Sequence, residues 1–111
     1  MTRGAEGGPR PIERRTVSRK TPGDGKLEIT KIAANRLASL GERFTLVVDA
    51  PHLQTRDGDA RLGTMPCTCR GDDAPHVHYF IESDLLRALQ AGSAVDLLLD
   101  DTAKRLLVVG A

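Results

Sequence analysis

A chain of 111 residues with 40% hydrophobic and 28% charged side chains and a formal net charge of +1 falls in the range of ordinary soluble proteins and supports a single domain with a small core. It has no Trp, and Phe44, Tyr79 and Phe80 are its only aromatics, so its core must be built from Leu, Val, Ile and Ala. Cores this small are commonly reinforced by a metal, a disulfide or a partner.

Residues 1–26, MTRGAEGGPRPIERRTVSRKTPGDGK, hold seven Lys or Arg against three Asp or Glu, with five Gly and three Pro. Such a stretch buries too little apolar surface to offset its ordering entropy, so it reads as a disordered basic arm ahead of a single domain at 27–111. The arm has two readings: a solubilising leader, or a contact to phosphates or an acidic protein surface through Arg14, Arg15, Arg19 and Lys20. No aromatic is interleaved with these arginines, so base stacking has no support. No run of about 20 apolar residues is present to span a bilayer, and the first residues lack the apolar middle of a secretory signal. A cytoplasmic protein without membrane contact is expected.

Ile29, Ala33, Leu37 and Leu40 recur at helical spacing, with Thr30 as N-cap and Gly41 as stop. A strand through Leu27 to Lys31 before a shorter helix fits nearly as well. Phe44, Leu46 and Val48 alternate with polar residues and mark a strand that Pro51 limits. Asp57-Gly58 is a strong two-residue turn signal, which predicts a hairpin pairing His52 to Arg56 with Asp59 to Met65.

The segment PCTCRGDDAPHVHYFIE, residues 66–82, places Cys67, Cys69, His76 and His78 within twelve residues, out of two Cys and three His in the whole chain. In a reducing compartment such cysteines read as a metal or catalytic pair. A disulfide between Cys67 and Cys69 would close a very small ring. If the chain reverses through Gly71 to Ala74, Cys69 faces His76 and Cys67 faces His78 across an antiparallel pair, with all four side chains on one face. Two thiolates and two imidazoles are the donor set of a closed structural Zn2+ site. The plain alternative is a pair of small buried cysteines beside surface histidines.

The same residues support two enzyme readings. Cys69 and His76 could form a thiolate and imidazole dyad, with Asp72 or Asp73 orienting the ring. The run His76, His78 and Glu82 resembles the first metal-binding motif of the cupins, His-x-His followed by Glu, with a glycine upstream. That resemblance covers about a dozen residues and implies a catalytic metal held by His76, His78 and Glu82. Gly71 stands one residue closer to His76 than the motif has it, and no second motif follows. His52 is a further candidate ligand for either site.

Ser83 and Asp84 open a helix through Leu85, Leu86 and Leu89, ended by Gly92. Val95 to Leu99 and Arg105 to Val109 read as two strands joined through Asp101 to Ala103, with both faces buried. These elements predict an α+β fold: a small, mostly antiparallel sheet with two helices and a Cys/His metal-binding hairpin at its edge, where Pro66 belongs. The function expected is a small zinc-binding interaction domain, with structural rather than catalytic metal. It would bind a protein partner, a second copy of itself or nucleic acid, aided by the basic arm. The alternative is a metal-dependent cupin-like or thiol enzyme.

Overall fold

The computed structural model describes residues 8–51, 53–66 and 77–110. Seven strands form one mixed sheet: β1 (Arg10–Thr16), β2 (Lys26–Ile29), β3 (Arg43–Asp49), β4 (Arg56–Pro66), β5 (Val77–Glu82), β6 (Ala94–Asp100) and β7 (Arg105–Gly110). Their order across the sheet is β1-β6-β7-β3-β4-β5-β2, and the sheet curls into a nearly closed, barrel-like form. Every neighbouring pair is antiparallel except β3 with β7. Two short helices, α1 (Lys20–Asp24) and α2 (Lys31–Leu37), and 3-10 turns at Ala38–Leu40 and Asp84–Ala88 complete the described structure.

The expected α+β fold, a small antiparallel sheet with two helices and an edge hairpin, is therefore corrected. Strand accounts for 52% of the described residues and helix for 22%. The reason lies in the apolar pattern. Phe44, Leu46 and Val48 on β3, Val95, Leu97 and Leu99 on β6, and Leu106 and Val108 on β7 are all buried, and they alternate with more exposed residues. Alternation at period two points one row from each strand to a common interior, so the curled sheet itself encloses the core. Helices add only partial cover: Ala33, Ala34 and Leu37 of α2 and Leu86 and Leu89 after Ser83 are buried against it.

Three local expectations change with the sheet. Residues 10–24, read above as part of a disordered arm, form β1 and α1. β1 has little apolar content of its own; it is held by its ladder with β6 and by Arg14, whose guanidinium donates to both Asp96 carboxylate oxygens at 2.7 and 3.1 Å. Asp57-Gly58 is no turn, because both residues lie inside β4 and pair with Val47 and Leu46 of β3. Gly58 serves there as a close-approach position: a Cβ would stand 3.3 Å from Leu85 Cδ1, which packs over the strand. The sequence around Thr30 resolves into strand β2 followed by a short helix, with Thr30 Oγ1 accepting from Ala33 N at 3.2 Å.

The Arg14 hydrogen bond holds the Asp96 carboxyl below its usual value. A carboxyl depressed in the folded state adds stability above its unfolded pKa and loses it as pH falls through the folded one. Both groups are exposed, so the effect on stability is small. The titration itself is the sharper readout: in Arg14→Ala the Asp96 carboxyl should move up toward the ordinary range. Carbon-detected NMR follows it directly, and an unchanged Asp96 would contradict the pairing.

Candidate functional site

β5 carries two predicted ligands that fall among the described residues, His78 of the zinc set and Glu82 of the alternative set. The neighbouring strands fix where His78 points. β5 pairs with β4 in the register Met65↔His78 and Pro66↔Val77, and with β2 in the register Glu28↔Phe80 and Ile29↔Tyr79. The residue opposite His78 is thus Met65, and the predicted facing of Cys67 with His78 is corrected by a two-residue shift. β4 is also an interior strand, between β3 and β5, rather than an edge.

Pro66 fits this interior strand for a backbone reason. Leu62 N–H donates to Glu42 C=O at 3.0 Å, on the side away from β5. Backbone direction alternates along a strand, so position 66 also turns its nitrogen away from β5, and β3 pairs with β4 only as far as Arg61. The missing N–H of proline costs no ladder bond there.

His78 Nδ1 lies 2.7 Å from Glu28 Oε2, with both side chains about two-fifths exposed or less on the outer face of the sheet. A carboxylate only accepts, so the Nδ1–H donates and the ring is held in that tautomer. The contact is diagonal across the β2 and β5 ladder, the range at which long side chains meet. Phe80, next on the same face, is buried; its ring stands 6.5 Å from the His78 ring, and Lys26 Nζ lies 6.0 Å from its centroid. Glu82 shares this face two residues farther on, but its carboxylate takes Arg61 Nε at 3.0 Å. Among the described residues Glu28, not Glu82, is the carboxylate hydrogen-bonded to His78.

Cys67, Cys69, His76 and His52 lie outside the described residues, as do Asp72 and Asp73. Pro66 and Val77, on either side of residues 67–76, are partners in the ladder. Among the described residues no group of three or more His, Cys, Asp or Glu side chains is placed to hold a metal. Of the basic residues singled out above, Arg14 is engaged by Asp96, and Arg15 Nε lies 3.8 Å from Glu13 Oε2. Arg19 stands at the N-cap position of α1 without a side-chain capping bond, and Lys20 is its first residue.

Beside His78 the surface opens into a groove of about 580 Å³. Its walls are Arg15 from β1, Glu28 and Ile29 from β2, Thr30 and Lys31 at the start of α2, and Val77 to Tyr79 from β5. The groove lies where β1 and β2, the two terminal strands of the sheet, approach each other without a ladder. Glu13 spans the gap: its carboxylate accepts from Thr30 N at 3.0 Å and from Thr30 Oγ1.

Glu28 was not legible as a site residue from spacing, because it stands 50 positions before His78. The available signal was Leu27 and Ile29, both buried, which put Glu28 on the opposite, outer face. Among the described residues no helix is long and apolar enough to cross a membrane. No protein-family model matches the chain, and no curated protein matches it.

Proposed function

We propose that this chain is a small zinc-binding interaction domain in which the metal is structural. Its ligands are Cys67, Cys69, His76 and His78, and its role is to tie residues 67–76 to the β4 and β5 strands. The observation that carries this reading is the 2.7 Å contact from His78 Nδ1 to Glu28 Oε2. Histidines that bind metal through one ring nitrogen characteristically donate the other to a carboxylate, which fixes the tautomer and raises the basicity of the ligating nitrogen. The remaining donors, two thiols and an imidazole, are the types that zinc takes in closed four-coordinate sites. Bound there, zinc supplies a cross-link, and a filled coordination sphere leaves no position for a substrate.

A protein partner is favoured over nucleic acid. Arg14, one of the four residues of the proposed phosphate-binding set, already donates to both Asp96 carboxylate oxygens. A phosphate would have to displace that carboxylate, whereas a protein surface can be read by the sheet around it.

Metal analysis of the purified chain tests the reading. One zinc per molecule is expected, lost in Cys67→Ser and His78→Ala, with chelation lowering the melting temperature. Glu28→Gln should retain zinc about tenfold more weakly or worse. A metal-free protein whose stability is indifferent to added zinc would sink the proposal.

A further inference from the structure

Among the described residues the ladder is interrupted at one place, between β1 and β2. In the β2 and β5 pair, Ser83 N–H donates to Gly25 C=O at 2.9 Å, and the register continues through Leu27↔Ile81 and Ile29↔Tyr79. Antiparallel ladders alternate bonded and non-bonded pairs. Lys26 and Glu28 therefore turn their N–H and C=O away from β5, toward β1. Thr30 N–H, two positions on, points the same way and is the group that Glu13 receives.

β1 mirrors this. Val17 N–H donates to Ser93 C=O at 2.7 Å, so with the register Arg15↔Val95 and Thr16↔Ala94 the backbone groups of Arg14 and Thr16 face away from β6. Two open edges thus line one seam. Adjacent strands in a ladder stand about 4.7 to 4.9 Å apart. At Thr30 the acceptor is a carboxylate at the end of a two-methylene side chain, occupying the place where a neighbouring strand's carbonyl would stand, so β1 is farther off than one ladder spacing.

We infer that the seam between β1 and β2 receives an extended, acidic segment of a partner protein as an added strand. Strand addition uses main-chain hydrogen bonds for affinity and side-chain contacts for choice. The charge of the seam makes that choice. Arg15 and Lys31 line the groove, and Arg15 Nε has no hydrogen-bond partner among the described residues, while Glu13 is held by Thr30 and Glu28 by His78. Val77, 41% exposed, gives the floor an apolar contact for an alternate side chain. The inference rests on the reading of this chain as an interaction domain and not on its metal.

The test uses the full chain and a fluorescein-labelled octapeptide of alternating Glu and Val, with a Lys-for-Glu version as control. Proline can replace Glu28 without touching the β5 ladder, because the lost N–H is the one that faces the seam. Glu28→Ala removes the carboxylate and keeps that N–H. The acidic peptide should bind Glu28→Ala at least as tightly as wild type, because a negative charge leaves the groove, bind Glu28→Pro about tenfold more weakly than Glu28→Ala, and weaken as salt rises. Thr16→Pro on the facing edge gives the same reading if Glu28→Pro fails to fold. Hydrogen exchange should find the Arg14, Thr16 and Glu28 amides fast in the free chain and slow with peptide.

Equal binding of the Lys peptide, no binding of the Glu peptide, or equal binding by Glu28→Pro and Glu28→Ala would overturn the inference. So would slow exchange at these amides in the free chain. Protection lost on removing residues 1–7 would assign the seam to the chain's own leading segment, and protection rising with protein concentration would assign it to a second copy. Zinc content is read separately, so a metal-free chain that binds the peptide, or a zinc-loaded one that does not, tells the two proposals apart.

Discussion

Leu46→Ala is expected to lower the unfolding free energy by about 3 kcal/mol, a large part of the roughly 5–15 kcal/mol available to a domain. Leu46 is fully buried on β3, the strand that joins the two halves of the sheet, between Gly58 of β4 and Leu106 of β7. Gly58 has no side chain to move into the space, and Leu106 is itself fully buried, so the cavity stays open. The lost methylenes and the unfilled volume both count against the fold. Leu46→Met keeps most of the volume and should cost less than about 1.5 kcal/mol. Denaturant titration of both variants reads the difference. A loss below 1 kcal/mol for the alanine variant would contradict the position of Leu46 at the middle of the sheet.

The second large effect is backbone in origin. Gly25→Ala should cost about 2 kcal/mol, from a left-handed conformation and a collision acting together. Gly25 ends α1 with φ 70° and ψ 31°, and its N–H donates to Thr21 C=O. A Cβ there would stand 2.9 Å from the Ser83 carbonyl oxygen, a backbone atom that cannot rotate aside. Ser83 is also the residue whose N–H donates to Gly25 C=O and whose hydroxyl caps the turn that follows by accepting from Leu85 N. Moving it disturbs α1, β2 and that turn together. Gly92, with φ 92° and no atom within 4 Å of an added Cβ, provides the comparison. Gly92→Ala should show the conformational cost alone, about 1 kcal/mol. If thermal melts find the two variants equally destabilised, the Gly25 and Ser83 contact is not as described.

How much of this was legible in the sequence depends on where each element gets its stability. β3 carries its own alternation of apolar and polar residues, and β6 and β7 their apolar runs; the expectation that both faces of the β6 and β7 pair are buried is corrected, since burial alternates along both strands. The caps at Thr30 and Ser83 were also legible, because a hydroxyl two or three residues before an amide is a local fact; they bond Ala33 N and Leu85 N. β1 was not. RPIERRT has one large apolar residue, and its strand exists because β6 supplies a ladder and Asp96 a partner for Arg14. Asp57-Gly58 misled because a turn and a close approach both call for glycine, and only the position of Leu85 separates them. At the candidate site, His78 stood out as part of a cluster, while Glu28 became visible only once β2 was paired with β5.

The strand order carries a consequence for how this chain acquires its structure. β7 lies between β6 and β3 and is the last strand in chain order, and β1, the first, waits for β6. Before Arg105–Gly110 has joined, the sheet is two unconnected ribbons, β1 with β6 and β3 through β5 with β2. Most of the pairings that close it link residues far apart in sequence, the pattern that slows folding because loop entropy is lost before the contacts repay it. A nascent chain therefore exposes both inner edges, β3 and β6, until nearly all of these residues have been made. In the cell, that interval is when these strands are open to pairing with the wrong neighbour.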